Sequence, residues 1–225
     1  MKGADHMADT SHSTAERAMD AALELFSRKG YDATSMNDIA QAVGIRAPSL
    51  YKHFASKEAL FTAVAPRVTE HYRKLWQAAG DAQARLAQTT HGPGSLTADK
   101  MAEETLAWLD AELAEGQGFR AFARRSPETL RWLWDEPLAL YEALFARLMD
   151  QQAVKRADAH VMAAEYLAPI FYLVELADRD AGRRNNVEDE VRRHISQFHR
   201  AFAVKERPAP TAAPNSGGVR GLFRR

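Results

Sequence analysis

The chain has 225 residues, enough for one large domain or two small ones, and 46% of them are hydrophobic, which is ordinary for a soluble globular protein. Its 30 Lys and Arg residues balance its 30 Asp and Glu residues, so no net charge attracts nucleic acid and any DNA affinity must come from a local patch. The absence of cysteine excludes disulfides, thiol chemistry and cysteine-ligated metals, and no apolar run reaches the ~20 residues of a membrane span.

The first twelve residues lie outside the predicted fold. They begin with the polar stretch MKGADHM, which has no periodicity and contains an internal methionine. Residues 1–12 are therefore interpreted as a disordered natural arm or as the remnant of a tag. An arm that reaches a DNA minor groove would need more Arg or Lys than the single Lys2.

A first helix is predicted from Ser13 onward. Ser13 and Glu16 can form a capping box, and Lys29 followed by Gly30 supplies a cationic last turn and a stop. The apolar stripe between them consists of Met19, Ala22, Leu23 and Phe26. This helix is expected to pack on the next two helices as a three-helix unit.

The second helix carries its own start and stop signals. Ser35 can cap the first turn and Asp38 can complete a capping box, so the helix begins near Met36. Its apolar face ends at Val43, and Gly44 can adopt the positive φ that a tight helix exit needs. A turn is therefore predicted at residues 44–45.

A short third helix follows the turn. Residues 47–49 can form its first turn, because Pro48 is tolerated where a backbone amide has no helical partner. Leu50 and Phe54 share one face, which leaves a polar set pointing largely elsewhere: Ser49, Tyr51, Lys52 and His53.

Positive charge concentrates between residues 45 and 57. This stretch contains Arg46, Lys52 and Lys57 but no Asp or Glu, so its field favours phosphate. Lys57 and the free backbone amides after Ser56 could hold one phosphate together. Two further side chains could donate to neighbouring phosphates: Tyr51 and His53.

Small residues at the start of the third helix would allow it to approach the base edges: Ala47, Pro48 and Ser49. Arg46 is the candidate for a bidentate guanine contact, with a phosphate contact as the alternative. A helical hairpin with an ordinary solvated face also fits these residues, because helix-turn-helix geometry is common.

A longer pattern spans all three helices, from residue 14 to residue 64. Its residues are Gly30, Tyr31, Thr34, Asp38, Ile39, Ala40, Ala42, Val43, Gly44, Leu50, Tyr51, Lys52, His53, Phe54, Ser56, Lys57, Glu58, Ala59 and Leu60. In order and spacing they resemble the signature of the TetR family of transcriptional regulators. The resemblance implies that one set of positions faces DNA: Ser35, Met36, Ala47, Pro48, Ser49, Tyr51, Lys52, His53 and Lys57. Met36 departs from the polar or basic residue that often stands at its position.

Helical patterning continues beyond the third helix. A long segment over residues 57–88 contains Pro66, which should kink or split it by removing a hydrogen bond. Residues 91–95 are expected to form a loop, and a helix over residues 97–114 should end before the glycines of residues 116–118. Prolines at helix starts then predict two shorter helices, over residues 128–134 and 138–152.

The last two predicted helices span residues 158–178 and 186–204. The first is apolar on most sides, with Pro169 expected to bend it, and the second has an apolar stripe opposite a charged face. They could pair with their twofold copies as a homodimer interface, which is the usual arrangement in the TetR family; alternatively, both close a monomeric core. Two heads one helical turn apart would read a palindromic operator in double-stranded DNA.

Residues 206–225 are rich in proline and glycine and are predicted to be a disordered tail. The tail either solubilises the protein or touches DNA nonspecifically through its arginines: Arg220, Arg224 and Arg225.

Aromatic residues concentrate in the middle of the chain and predict either a well-filled core or an aromatic-lined pocket. The resemblance favours a pocket for a small-molecule effector, for which the candidates are Trp76, Trp108, Phe122, Trp132, Tyr141, Phe145 and Phe171. Its polar anchors, unless they are solvated surface residues, would be Glu112, Arg124, Arg125 and His160. No residue identifies the effector.

Together these features predict an all-α protein with an N-terminal three-helix helix-turn-helix DNA-binding domain, residues 13–60, followed by a helical ligand-binding and dimerisation domain, residues 61–205. The expected function is transcriptional repression relieved by an effector; the alternative is an effector-independent DNA-binding factor of the same fold. No enzyme, cofactor or metal site is expected, because the histidines are scattered and catalytic or phosphate-binding motifs are missing. Without a secretory leader, the expected location is the cytoplasm.

Overall fold

The structure, a computed structural model, describes residues 13–206. Within that range it contains helices and an isolated antiparallel bridge between Val154 and Ala203. The helices are α1 (Thr14–Lys29), α2 (Met36–Val43), α3 (Ala47–Tyr51), α4 (Lys57–Gln88), α5 (Ala98–Ala123), α6 (Pro127–Asp150), α7 (Ala159–Arg179), α8 (Ala181–Arg184) and α9 (Val187–Phe202). The predicted all-α fold is confirmed. The interpretations of residues 1–12 and of the tail from Arg207 lie outside the described residues.

Helices α1 to α3 pack around a small apolar core, the head core, which consists of Ala18, Ala22, Phe26, Met36, Ile39, Ala40, Val43, Leu50, Phe54 and Leu60. Both predicted capping boxes are present, Ser13 with Glu16 and Ser35 with Asp38. The predicted three-helix unit is confirmed, and the starts of α1 and α2 are set by contacts between residues three apart.

A second and larger apolar core, the body core, lies between α4, α5, α6, α7 and α9; its largest buried side chains include Tyr72, Trp108, Tyr141, Phe145 and Tyr166. Helix α4 packs on α5 and α6, α6 packs on α7, and α9 packs on α5 and α7. The apolar stripe of α9 faces inward, with Val187, Val191, Ile195 and Phe198 buried.

Head and body are in direct contact, because α4 contributes to both cores and α1 packs against α5. Phe61 stacks on Phe122 with ring centroids 4.0 Å apart. Arg125 pairs with Asp32 at 3.1 Å between Nη1 and Oδ2, and its guanidinium lies 4.5 Å from the ring centroid of Tyr31. A displacement of the end of α5 would therefore act on the loop between α1 and α2.

The prediction that α5 ends before Gly116 is wrong, since the helix continues to Ala123. A Cβ atom at position 116 would clash with Arg120 Nη1 and with the Glu112 carboxyl group. At position 118 it would lie 3.4 Å from the Cβ of Ser27 in α1. These glycines therefore provide room for neighbouring side chains and do not terminate the helix.

The predicted separation of two helices at Pro137 is wrong, and of the two outcomes expected at Pro66, a kink or a split, the split does not occur. Helix α6 runs through Pro137 as a single helix. A proline removes one backbone hydrogen bond, and packing on both sides of it can offset that cost. One turn before Pro137, the carbonyl of Trp132 accepts a hydrogen bond of 2.5 Å from Trp76 Nε1, which ties α6 to α4.

By length and mean hydropathy alone, α7 could cross a membrane, although charged residues interrupt its apolar sequence at Glu165, Glu175, Asp178 and Arg179. Only 33% of the residues in its apolar window are buried within the fold. Helix α7 packs on α6 and α9 with one face and leaves another face uncovered in the single chain.

Candidate nucleic-acid interface and body site

The turn between α2 and α3 is built from backbone groups. Gly44 has φ 77° and ψ 29°, the left-handed conformation that the sequence predicted. The N–H of Ile45 donates to the carbonyl of Ala40 at 2.9 Å. Leu50 and Phe54 are buried in the head core and hold α3 against α2. The opposite face of α3 is thereby turned away from the head core.

That outer face carries most of the predicted DNA-facing residues. Ser35, Arg46, Pro48, Tyr51, Lys52 and His53 are exposed, whereas Ala47 and Ser49 are half-buried. The ring of Tyr51 is one of the largest exposed apolar surfaces in the described chain, at 51% exposed. No ion pair within residues 13–206 involves Arg46 or Lys52. Both charges are thus available to a ligand.

Ser35 has a second role that limits its reach. Its Oγ accepts a hydrogen bond from the N–H of Asp38 at 3.1 Å and donates to Asp38 Oδ2 at 2.7 Å. The hydrogen bonds from Ser35 to the carboxylate keep the pKa of Asp38 below its usual value. The Ser35 hydroxyl is therefore used to cap α2, which limits its ability to contact a phosphate.

The structure corrects the prediction for Met36. Its side chain is 7% exposed and packs in the head core, so it cannot reach a base edge. The departure from a polar residue at this position follows from burial, since an unbranched apolar side chain fills the core at the start of α2.

The predicted phosphate contact from the Lys57 ammonium is also replaced by an internal role. Its Nζ donates to the carbonyl of Tyr31 at 2.7 Å and to that of Thr34 at 2.9 Å, and it lies 4.2 Å from the centroid of the Tyr31 ring. These contacts fasten the loop between α1 and α2 to the start of α4. The ammonium therefore positions the head and is turned away from solvent.

Six of the seven predicted ligand-binding residues are connected by contacts within the body, where Trp108 Nε1 donates to the Tyr141 hydroxyl at 2.9 Å, and only Phe122 lies apart from them. Phe122 stacks on Phe61 at the contact between head and body. Trp76, Trp108 and Phe171 contact one another in the body, with the Trp76 and Trp108 ring centroids 5.3 Å apart. Trp132 is half-buried on α6. The last two, Tyr141 and Phe145, are fully buried in the body core.

The four predicted polar anchors are engaged elsewhere. Arg124 pairs with Glu175, Arg125 pairs with Asp32, and the exposed His160 lies 3.0 Å from Glu142. The buried Glu112 pairs with Arg120, whose other nitrogen, Nη2, lies 2.5 Å from Asp178 Oδ1. These groups connect helices and are not directed into the aromatic cluster.

The polar group that does lie among the aromatic residues is Glu104, which sequence reasoning missed. The hydroxyl of Tyr141 donates to both of its carboxyl oxygens at 3.0 Å, and Trp108 Nε1 donates to that hydroxyl at 2.9 Å. Burial raises the pKa of Glu104 to about 8. The signal in the sequence was its position, three residues after Met101 and four before Trp108, on the buried stripe of α5.

A cleft of about 290 Å³ lies between α4 and α5. It is lined by Ala82, Arg85, Leu86, Thr89, Lys100, Glu103, Glu104 and Ala107. The cleft therefore borders the residue that carries the buried carboxyl group.

The head matches the family model described as bacterial regulatory proteins, tetR family, over residues 18–64. The HTH-type transcriptional repressor ComR of Escherichia coli K12 is 44% identical over 57 residues, which make up 25% of this chain and 27% of ComR. The chain thus spans about a quarter of the length of the curated relatives it matches.

Among solved structures, the fold is similar over most of the chain to SmeT, the repressor of the Stenotrophomonas maltophilia multidrug efflux pump SmeDEF, with a TM-score of 0.60, 18% identity, and coverage of 87% of this chain and 93% of SmeT. The SmeT complex with triclosan also gives a TM-score of 0.60, at 15% identity, covering 95% of this chain and 100% of that one. The head, residues 18–64, therefore has the sequence of the N-terminal domain of the tetR family of bacterial regulatory proteins, and the chain as a whole has a fold similar to that of SmeT.

Proposed function

We propose that the protein is a sequence-specific DNA-binding transcriptional regulator: a homodimeric repressor that a small-molecule effector releases from a palindromic operator. In this proposal residues 13–60 bind DNA, and residues 61–205 bind the effector and dimerise. The observation that carries the proposal is the outer face of α3, where Arg46 and Lys52 are exposed without an ion-pair partner in the described chain. No catalytic role is proposed for any side chain.

The DNA contacts divide by chemistry. Lys52, His53 and the hydroxyl of Tyr51 are proposed to bind phosphates, because they surround the exposed end of α3. Arg46 stands just before α3 and is proposed to contact guanine or a phosphate. The small side chains of Pro48 and Ser49 would let the helix enter the major groove.

Dimerisation is proposed through α7 and α9. Val161 and Tyr172 are 52% and 63% exposed, and they lie with Ala168 on one face of α7. Glu165 is exposed on the same face, which is otherwise apolar, and an uncovered face of this kind is typical of an interface. The apolar stripe of α9 is already buried in the body core, so α9 would contribute its polar outer face.

Effector release is proposed to use the contact between head and body. A ligand bound beside α5 could displace the end of that helix, where Phe122 and Arg125 contact the head. The effector can shift the protein only by as much as it prefers the conformation that does not bind DNA. The complex of SmeT with triclosan supports a small-molecule site in a body of this fold.

One observation favours the alternative of an effector-independent DNA-binding factor. The side chains of Trp108, Tyr141 and Phe145 are buried and in contact with their neighbours, which is typical of a filled core. A screen that finds no compound able to release DNA would support this second candidate.

The DNA-binding proposal is tested with duplexes selected from a randomised pool by the parent protein. Binding is then measured over a range of salt concentrations for the parent, Lys52→Ala and Tyr51→Ala. We expect weaker binding by both variants. For Lys52→Ala the slope of log affinity against log salt should fall by about 0.9 for each phosphate that the variant no longer neutralises.

Lys74→Ala is the matched control, because Lys74 is exposed on α4, outside the proposed interface. It should bind like the parent. Undiminished binding by both α3 variants, or failure of the parent to select any duplex, would contradict the proposal.

A further inference from the structure

The body contains a buried carboxyl group that has no cationic partner. Glu104 is 5% exposed, and none of the Lys, Arg or His side chains of the described residues pairs with it. The other deeply buried acid of α5, Glu112, has Arg120 at 2.6 Å. A buried carboxylate is stable only with a counter-charge or several hydrogen-bond donors. Glu112 has a counter-charge in Arg120, whereas Glu104 has none.

Hydrogen-bond donors nevertheless converge on this carboxyl group. Tyr141 donates to both oxygens, and Thr105 Oγ1 donates to Oε2 at 3.3 Å. The side-chain amide of Gln83 lies beside the carboxyl group, and its buried Nε2 has no hydrogen-bond partner. This arrangement of donors suits a negative charge at Glu104.

Aromatic rings surround the same place. The ring centroids of Tyr141 and Tyr166 are 5.3 Å apart, and the indole N–H of Trp108 reaches the Tyr141 hydroxyl. The aromatic residues therefore close the Glu104 carboxyl group off from solvent on the side of the body core, and its open side is the cleft between α4 and α5.

The cleft between α4 and α5 provides access from solvent. It includes Glu104 in its lining, and its volume of about 290 Å³ accommodates one aromatic ring with a small polar group. Of the two cations at its rim, Lys100 is held by the carbonyls of Thr89 and Ser95, at 3.3 and 2.9 Å. The other is Arg85.

We propose that Glu104 anchors the effector, and that the effector is a small aromatic molecule bearing a positively charged nitrogen group, such as an amine, amidine or guanidine. The charged group would pair with the carboxylate at the wall of the α4–α5 cleft, while the ring lies in the cleft against Ala82, Leu86 and Ala107. The claim that this ligand is an effector rests on the proposed function. Binding of the ligand at Glu104 can be measured on the free protein, without DNA.

The proposal includes a proton exchange. Burial raises the pKa of Glu104 to about 8, so the carboxyl group holds a proton at neutral pH. When a cation binds, the O–H bond of the carboxyl group breaks, the proton goes to solvent, and the carboxylate pairs with the ligand. Binding should therefore strengthen as the pH rises toward 8 and level off above it.

Other ionisable groups face this site from each neighbouring helix. They are Arg85 from α4, Lys100 and Glu103 from α5, Tyr141 from α6, Tyr166 from α7, and His194 from α9, whose Nε2 lies 2.9 Å from the Tyr166 carbonyl. Burial raises the pKa values of Tyr141 and Tyr166 well above the usual value, so both stay neutral across this pH range. A variant at Glu104 shows which part of the pH dependence of binding belongs to the Glu104 carboxyl group.

The experiment is calorimetric titration of the full chain with benzamidinium, its neutral isostere benzamide, and benzoate, from pH 6 to pH 9. Benzamidinium should bind at least about tenfold more tightly than the other two at pH 8.5. Its apparent affinity should rise by about tenfold per pH unit below pH 8. Titration in buffers of different ionisation enthalpy at pH 7 should show about one proton released per ligand.

Glu104→Gln keeps the hydrogen bond from Tyr141 and should lose both the preference for the cation and the pH dependence. Tyr141→Phe provides a second variant, in which removal of a donor should move the levelling-off to higher pH. Equal binding of benzamide, tighter binding of benzoate, or no binding of benzamidinium at pH 8.5 would overturn the proposal.

Duplex binding is measured with the same protein samples, so that failure of the Glu104 site can be distinguished from failure of the proposed function. Intact DNA binding without selective binding of benzamidinium refutes only the Glu104 site. Selective binding of benzamidinium without any DNA binding refutes the proposed function and leaves the site standing.

Discussion

Lys52 and Lys57 lie five residues apart and are both cationic, yet their surroundings give them different roles. Lys52 is exposed on the outer face of α3, whereas the ammonium of Lys57 bonds to two carbonyls of the loop between α1 and α2. Positive charge alone therefore does not identify a phosphate contact. An ammonium is a candidate only if its N–H donors are not already used within the protein.

Lys57→Ala should destabilise the protein by about 1 to 3 kcal/mol, because two backbone carbonyls are deprived of a charged donor. Chemical unfolding of the variant measures this change. Lys52→Ala is the control and should unfold like the parent while binding DNA more weakly. A Lys57→Ala protein with parental stability, but with a smaller salt slope for DNA binding, would restore the phosphate contact predicted from the sequence.

At the scale of single elements, α5 connects the parts of the molecule. It contributes Trp108 and Glu104 to the body interior, and its last turns carry Arg120 and Phe122 toward α7 and the head. Because Gly116 has no side chain, Arg120 can reach along the helix surface to pair with Glu112. Arg120 Nη1 also donates to the Glu112 carbonyl at 2.8 Å. A side chain at position 116 would occupy the space of that pair.

Gly116→Ala should destabilise the protein by about 1 to 3 kcal/mol in spite of the higher helix propensity of alanine. The added methyl group would displace a guanidinium that is buried between two carboxylates and has no solvent to move into. Thermal unfolding measures the effect.

Gly80→Ala in α4 is the matched control. Its nearest contact would be Leu140 Cδ1 at 3.5 Å, an ordinary packing distance, so it should gain up to about 1 kcal/mol from helix propensity. Equal effects of the two substitutions would show that the Gly116 site relaxes without breaking the ion pair.

For the molecule as a whole, the proposed function gives each chain one short helix, α3, for DNA. The uncovered face of α7 is the proposed surface through which a second copy would bring a second head. Two heads spaced by one helical turn bind a palindrome far more tightly than one head binds a half-site. Dimerisation and DNA affinity are thus expected to fail together.

Tyr172→Glu should convert the protein to a monomer, since each interface would contain two unpaired carboxylates in an apolar contact. Sedimentation velocity measures the oligomeric state, and duplex binding by the same sample should fall at least about tenfold. Ala111→Glu, at an exposed position on α5, is the control and should leave both properties unchanged. A dimeric Tyr172→Glu protein would place the interface elsewhere.

The local design of the head could be predicted from the sequence: the caps at Ser13 and Ser35, the left-handed Gly44, the extent of α2 and the start of α3. These features depend on groups three to five residues apart, so their chemistry can be recognised in order along the chain.

Only the tertiary structure decided where distant residues meet. Met36 is buried in the head core, and the ammonium of Lys57 is bound by a loop 23 to 26 residues earlier. The glycines of α5 make room for neighbouring side chains and do not end the helix. In the sequence Glu104 resembles a surface acid, and its burial follows from packing against Tyr141, which lies 37 residues later. Burial and partner choice arise from packing between segments, and that packing also decided which of the aromatic residues share a site.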